Sequence, residues 1–268
     1  MLIRANGIQM NYEVSGKKSA PVVILSHSLG CSLAMWDRQL GALEPHFKVL
    51  RYDIRGHGGS EAPAGPYNPE LLAKDAIAFL DALGIDKVHW VGVSMGGMIG
   101  QAMGLNHFDR LKSLALCDTT GALPPEARIL WRERIAAVRE KGIETQLEST
   151  MERYFTPSFL KANPPMLVAI RKQFLATPVE GYIGCGDAIR TFNYLDRLSE
   201  IKTPTLIMVG EDDLATPVSA SEAMQKRISN SKLVIIPSAR HIPNVEQPEV
   251  FNTNLLTFLK SLSIEKIN

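Results

Sequence analysis

Ser94 stands at the centre of Gly92-Val93-Ser94-Met95-Gly96, between the apolar run 87–91 and the small-residue segment 97–103. That order predicts a strand, a turn too tight for ordinary side chains, and a helix. It is the setting in which G-x-S-x-G presents a serine hydroxyl for nucleophilic attack. The glycines answer a physical need, because a Cβ beside a serine in strained backbone would meet neighbouring chain. A helix N-terminus at this point also turns free N–H groups and a positive dipole end toward developing negative charge. Taken alone, the pentapeptide is equally compatible with a glycine-rich packing turn.

An acid and a base follow at two later strand ends. The apolar run 204–209 leads into Gly210-Glu211-Asp212-Asp213, and the run 232–236 leads into Pro237-Ser238-Ala239-Arg240-His241. A lone histidine after a strand is usually a surface or capping residue, and a lone acid in such a loop is usually solvated. Three reactive side chains, each at a predicted strand end and in the order Ser, Asp, His, are hard to assign to coincidence. In that arrangement His241 takes the Ser94 proton as the hydroxyl attacks a carbonyl. Asp213 then holds the imidazole tautomer and stabilises the imidazolium.

These residues need a scaffold, and the periodicity supplies one. Asn6-Gly7 is a hairpin signal between 2–4 and the alternating segment 8–14. Continuous apolar strands are expected at 21–26, 47–52, 87–91, 111–117, 204–209 and 232–236, as in a sheet covered on both faces. Helical spacing covers 33–43, 69–83 (stopping at Gly84), 218–228 and 248–262. From the proline-rich 121–125 to about 196 the chain is helical and charged, broken at Pro157, Pro164-Pro165 and Pro178. The fold class is therefore α/β: a mostly parallel eight-stranded sheet with helices on both faces and a helical insertion after the sixth strand. The expected division is a core of 1–122 and 197–268 with a helical cap of 123–196.

Composition narrows the class of protein. A length of 268 residues is enough for one large core, and the net charge of +1 argues against a nucleic-acid footprint or a polybasic membrane contact. No apolar run approaches the roughly 20 residues of a membrane span, and the N-terminus lacks a signal-peptide pattern. Cys31, Cys117 and Cys185 are odd in number and far apart, so they read as buried or free thiols in a reducing compartment. The histidines lack metal-ligand spacing. The expectation is a cytoplasmic protein that needs no metal or other cofactor, with no nucleic-acid or membrane partner and an oligomeric state left open.

The chain resembles the α/β-hydrolase superfamily over essentially its whole length, and within it is most similar to the 3-oxoadipate enol-lactonases. The stretches that carry the resemblance include Leu25-Ser-His-Ser-Leu-Gly30 with Met35-Trp36, and Val49-Leu-Arg-Tyr-Asp-Ile-Arg-Gly-His-Gly-Gly-Ser60. Ser94-Met-Gly-Gly-Met98, Glu180-Gly-Tyr182 and Gly210-Glu-Asp-Asp-Leu-Ala-Thr-Pro217 continue it. His27 departs from the pattern, standing where these lactonases usually carry Asn. The helical insertion matches least.

The resemblance implies roles for individual residues. Asp213, fourth in Gly-x-x-Asp, is the position of the family acid, leaving Asp212 as a surface or helix-side acid. The oxyanion hole falls to the backbone N–H groups of Met95, directly after the nucleophile, and of Leu29, in the loop after the third strand. The implied substrate is a small carboxylic ester or lactone, with 3-oxoadipate enol-lactone of aromatic catabolism as the specific candidate. Such a lactone carries a free carboxylate that needs a cationic partner, and Arg132 and Arg134 beside Trp131 are the chosen candidates. Trp36 is carried as a pocket candidate that could instead pack its helix. Asp53, Arg55 and His57 are read as a loop held by an Asp53–Arg55 pair. Met95, Met98 and Met103 are read as core packing.

Rival chemistries separate on single residues. Haloalkane dehalogenases and epoxide hydrolases use an elbow aspartate where this chain has Ser94. Ring-cleavage carbon–carbon hydrolases typically place Trp after the catalytic histidine, where this chain has Ile242. Hydroxynitrile lyases lack these loop motifs. A general carboxylesterase or perhydrolase remains open, as does a ligand-binding receptor built on the same scaffold.

Overall fold

In the computed structural model, which describes residues 1–264, Asn6 and Gly7 both take positive φ, 43° and 80°. They make the tight turn between β1 (Leu2–Ala5) and β2 (Ile8–Gly16), as the Asn-Gly pair predicts. The remaining strands are β3 (Val22–Ser26), β4 (Lys48–Tyr52), β5 (Val88–Val93), β6 (Leu111–Cys117), β7 (Thr205–Gly210) and β8 (Ser231–Ile236). They form one sheet in the order β1-β2-β4-β3-β5-β6-β7-β8. β1 and β4 each pair antiparallel with β2, and every pair from β4 to β8 is parallel. All residues of β5 and β7 are buried, His89 and Thr205 included, so these mostly apolar strands are covered on both faces.

The helices follow the apolar periodicity, with local adjustments. The segment expected as a helix over 33–43 begins with a tighter 3₁₀ turn, Leu33–Trp36, before α1 (Asp37–Leu43). Pro69 opens α2 (Pro69–Ala82), and the Asn68 side chain caps it by accepting from the Leu71 N–H at 2.8 Å. α3 (Met95–Asn106) follows β5. Between β6 and β7 lie α4 (Pro125–Lys141), α5 (Leu147–Tyr154), α6 (Pro157–Ala162), α7 (Pro165–Leu175) and α8 (Val179–Thr191). Prolines start three of these helices and precede a fourth, since a ring without an N–H fits a first turn but breaks an interior. A backbone bridge between Ala122 and Asn193 closes the neck of this excursion. α9 (Val218–Gln225) stops three residues short of the expected end. α10 (Pro243–Glu246) and α11 (Pro248–Ile264) complete the chain. No helix among the described residues is long and apolar enough to cross a membrane.

One expected pair is not made. Asp53 is filled by three N–H donors instead, from Leu33 (2.7 Å), Gly59 (2.8 Å) and the Asn11 side chain (2.7 Å). Arg55 reaches past it to the buried Asp75 on α2, donating through two nitrogens at 2.6 Å each. The bidentate fork satisfies both deeply buried charges at once.

β3 pairs with β4 on one side and with β5 on the other, so the chain leaves β3 in one direction and returns on its opposite side. Such a reversal opens a crevice at the carboxyl ends of the two strands. The Ser26-His-Ser-Leu-Gly30 loop and Ser94 both emerge there, because Ser26 is the register partner of Gly92.

Candidate active site

Ser94 is held in backbone that side chains rarely adopt, with φ 55° and ψ −113°. Its N–H donates to the Cys117 carbonyl at 2.8 Å, and the Thr119 hydroxyl donates to its carbonyl at 2.9 Å. Bonds from the neighbouring strand end thus maintain a conformation that would otherwise relax. The glycines are obligatory for space. A Cβ on Gly92 would lie 2.2 Å from the Gly96 carbonyl oxygen, and one on Gly96 would lie 2.1 Å from that of Ser26.

The three strand ends converge on one hydrogen-bonded line. His241 Nε2 is 2.8 Å from Ser94 Oγ, and His241 Nδ1 is 2.8 Å from Asp213 Oδ2. Asp213 also accepts from the Ala215 and Thr216 N–H groups and from the Thr216 hydroxyl. Burial alone would raise the Asp213 carboxyl. The charge and hydrogen bond of His241, with Thr216, outweigh it and hold the group below its ordinary value. Asp212 is exposed and touches the site only through its backbone, donating to the Ala239 carbonyl. The tilted ring of Tyr154, from α5, lies 5.2 Å from the His241 ring.

The loop after β3 is fixed by two imidazoles. His27 Nε2 accepts from the Ile54 N–H at 2.9 Å while Nδ1 meets the Ser28 carbonyl at 2.7 Å. His57 Nε2 accepts from the Gly30 N–H at 3.0 Å. Both rings must be neutral to accept. Burial pulls His27 down to about 4, against the pull of its Ser28 bond, and burial with the neighbouring His27 pulls His57 down to about 3. Tyr154 braces the same loop, donating to the Leu29 carbonyl at 2.8 Å with Ser28 Oγ at 3.1 Å. Among the described residues, neither the Leu29 nor the Met95 N–H has a protein acceptor.

Above Ser94 opens a cavity of about 620 Å³, floored by Leu29, Ser94 and His241 and roofed by the inserted helices. Trp131 and Arg134 line it from α4, Arg153 from α5 and Tyr182 from α8. The Arg134 guanidinium sits 5.1 Å from the Trp131 ring centroid. Arg153 donates to the Thr150 hydroxyl at 2.9 Å. Among the described residues neither arginine forms a salt bridge. Burial, then the charge of Arg134, lowers the Arg153 guanidinium from its ordinary value. Glu126 also lines the cavity, but with no acid in salt-bridge contact the two guanidiniums beside an aromatic wall can receive an anion.

The sequence-based candidates divide here. Arg132 is exposed and outside the cavity, since the inward face of α4 runs through Trp131, Arg134, Ile135 and Val138 and leaves position 132 a third of a turn away. Trp36 is fully buried, with Phe251 at 6.3 Å, and packs the core instead of lining the cavity. Met95 and Met103 are core, but Met98 reaches the cavity wall. Sequence reasoning passed over Arg153, Tyr154, Thr216 and Tyr182. The apolar phase of α4 was the available signal for choosing Arg134 over Arg132, whereas no local pattern marked Tyr154.

A match to the alpha/beta hydrolase fold spans residues 21–248. The chain is 33% identical over 250 residues to 3-oxoadipate enol-lactonase 2 of Acinetobacter baylyi, covering 93% of this chain and 92% of that one. It is 32% identical to a Caulobacter segnis protein named as the carbamate hydrolase RutD, over 93% of this chain and 96% of the other. Among solved structures, the enol-lactonase from Burkholderia xenovorans LB400 superposes with a TM-score of 0.93 at 35% identity, covering 97% of this chain and 100% of that one.

Proposed function

Because the chain belongs to the alpha/beta hydrolase fold family, we propose that it is a serine hydrolase that cleaves a small carboxylic ester or lactone. The observation that carries this reading is the unbroken line Ser94 Oγ–His241 Nε2, His241 Nδ1–Asp213 Oδ2, both links at 2.8 Å. His241 removes the Ser94 proton as Oγ attacks the carbonyl carbon, and the Leu29 and Met95 N–H groups receive the oxyanion. The intermediate collapses, His241 protonates the departing oxygen, and an acyl-serine remains. In a lactone the departing oxygen stays tethered to the acyl group. Water, activated by His241, then releases the acid and restores Ser94. No cofactor enters these steps.

The segment 123–196 acts as a cap on a core of 1–122 and 197–268 and selects the substrate. Arg134 and Arg153, backed by Trp131 and Tyr182, hold a carboxylate at the end of the molecule remote from the scissile bond. An acidic lactone such as 3-oxoadipate enol-lactone combines that anion with an internal ester, and the enol-lactonase relatives support it as the substrate. A general carboxylesterase is the second reading. It is favoured by a cavity of about 620 Å³, within the volume range of sites that take larger ligands.

Labelling of Ser94 by a fluorophosphonate, turnover of p-nitrophenyl acetate and a product assay on the enol-lactone test the proposal together. Failure to label or turn over any ester would leave a ligand-binding protein. Ester turnover without lactone opening would leave the esterase.

A further inference from the structure

Asp118 is the residue after β6, fully buried at φ 45°. Its N–H donates to the Met208 carbonyl and its Oδ1 accepts from the Gly210 N–H, both at 2.8 Å, tying the end of β6 to the end of β7. The other oxygen, Oδ2, is buried, and among the described residues it has no hydrogen-bond partner. Asp118, Asp213 and His241 present ligand atoms that all lie within 4.8 Å of one another. The ring nitrogens of His241 are committed to Ser94 and Asp213, so this cluster is occupied by its own hydrogen bonds.

An ionised carboxylate is an acceptor on both oxygens, and a buried one beside a second carboxylate, with a single N–H donor on one oxygen and none on the other, has little to offset its charge. A protonated one becomes a donor, and the acceptor within reach is Asp213. We propose that Asp118 is a positioning residue of the triad, a neutral carboxylic acid whose Oδ2–H donates to the Asp213 carboxylate. Burial first, then the charge of Asp213, raise the Asp118 carboxyl well above its ordinary value, against the pull of the Gly210 N–H. The titratable groups facing it are Asp213 after β7, His241 after β8, Glu246 on α10 and the adjacent Cys117; each is acidic or neutral except His241 when protonated.

Two consequences follow for the chemistry. The extra donor fixes the Asp213 carboxylate plane against His241, adding to the bonds it accepts from Ala215 and Thr216. It also draws charge from Asp213 and so lowers the basicity that His241 feels. The pair then carries one negative charge, as a single triad acid would.

This inference rests on the triad reading, and a measurement without turnover separates the two. Infrared difference spectra at neutral pH are expected to show a protonated-carboxyl stretch in the wild type that Asp118→Asn abolishes. Absence of that band would overturn the proposal whether or not the protein is an esterase. In kinetics, Asp118→Ala loses the donor. It is expected to lower kcat for p-nitrophenyl acetate about tenfold and to move the acid limb of kcat/KM upward by roughly half a unit. Asp118→Asn, which keeps an N–H donor at Oδ2 and an acceptor for Gly210, should recover most of the rate and return the limb. A purely structural anchor would cost rate without moving the limb. If Asp118→Asn matched Asp213→Asn in severity, Asp118 would be acting as an ionised acid and the assignment would fail.

Discussion

The Tyr154 hydroxyl donates to the Leu29 carbonyl at 2.8 Å, so a helix of the insertion holds the residue proposed to supply an oxyanion N–H. Its ring also packs on His241, and burial raises its phenol well above the ordinary range, so that it stays a donor. One side chain thereby couples the cap to both halves of the proposed catalytic apparatus. Tyr154→Phe keeps the ring and removes the hydroxyl. The expected result is a fall in kcat of several-fold to about tenfold, the worth of one buried hydrogen bond, with KM for p-nitrophenyl acetate little changed. An unchanged kcat would show that Leu29 is positioned by the core alone.

The triad assignment makes a sharp distinction between adjacent acids. Asp213→Asn should reduce kcat by about 10⁴ through the wrong histidine tautomer, and Ser94→Ala should leave only background. Asp212→Asn should change little, because its carboxylate is exposed and only its backbone N–H is used. Circular dichroism on each variant separates lost chemistry from lost fold. Greater damage from Asp212→Asn would shift the acid by one position.

Ser94, Asp213 and His241 were legible because each sits at a strand end whose apolar run and turn residues are written locally. The eight strands and the insertion were legible for the same reason. What the sequence hid is set by contacts between distant segments. Adjacent numbering suggested an Asp53–Arg55 pair, but Arg55 finds Asp75 twenty residues on, because α2 packs over that loop. Arg132 and Arg134, by contrast, differ only in the rotational phase of α4, which its apolar positions Trp131, Ile135 and Val138 already mark. Arg153 and Tyr154 reach the site only because α5 folds back against the loop after β3. Asp118 looks unremarkable in Cys-Asp-Thr until β7 brings Asp213 beside it.

Selection for an acidic substrate should reside in Arg134 and Arg153. Arg153→Ala is expected to raise KM for a lactone bearing a free carboxylate by about tenfold or more, and KM for neutral p-nitrophenyl acetate by less than about threefold. Arg134→Ala should behave alike, with an added loss of the stacked contact on Trp131. Arg132→Ala should affect neither substrate. Equal effects of Arg153→Ala on both substrates would favour the general esterase reading.

His27 and His57 predict an acid-sensitive fold. In the unfolded chain each imidazole takes its proton near 6.5, whereas in the folded protein His27 does so near 4 and His57 near 3. Between these values the unfolded state binds more protons than the folded one, so stability falls as pH drops below about 6.5. It continues to fall until the folded-state values are passed. The two groups together should remove a few kcal/mol between pH 7 and pH 5, the order expected for shifts of this size. Urea denaturation at both pH values measures the difference. His27→Gln offers a side-chain oxygen to the Ile54 N–H without a titrating ring, so it should be less stable at pH 7 yet lose less on acidification. Parallel losses in wild type and His27→Gln would mean that carboxylates, not this buried imidazole, set the acid limit of the fold.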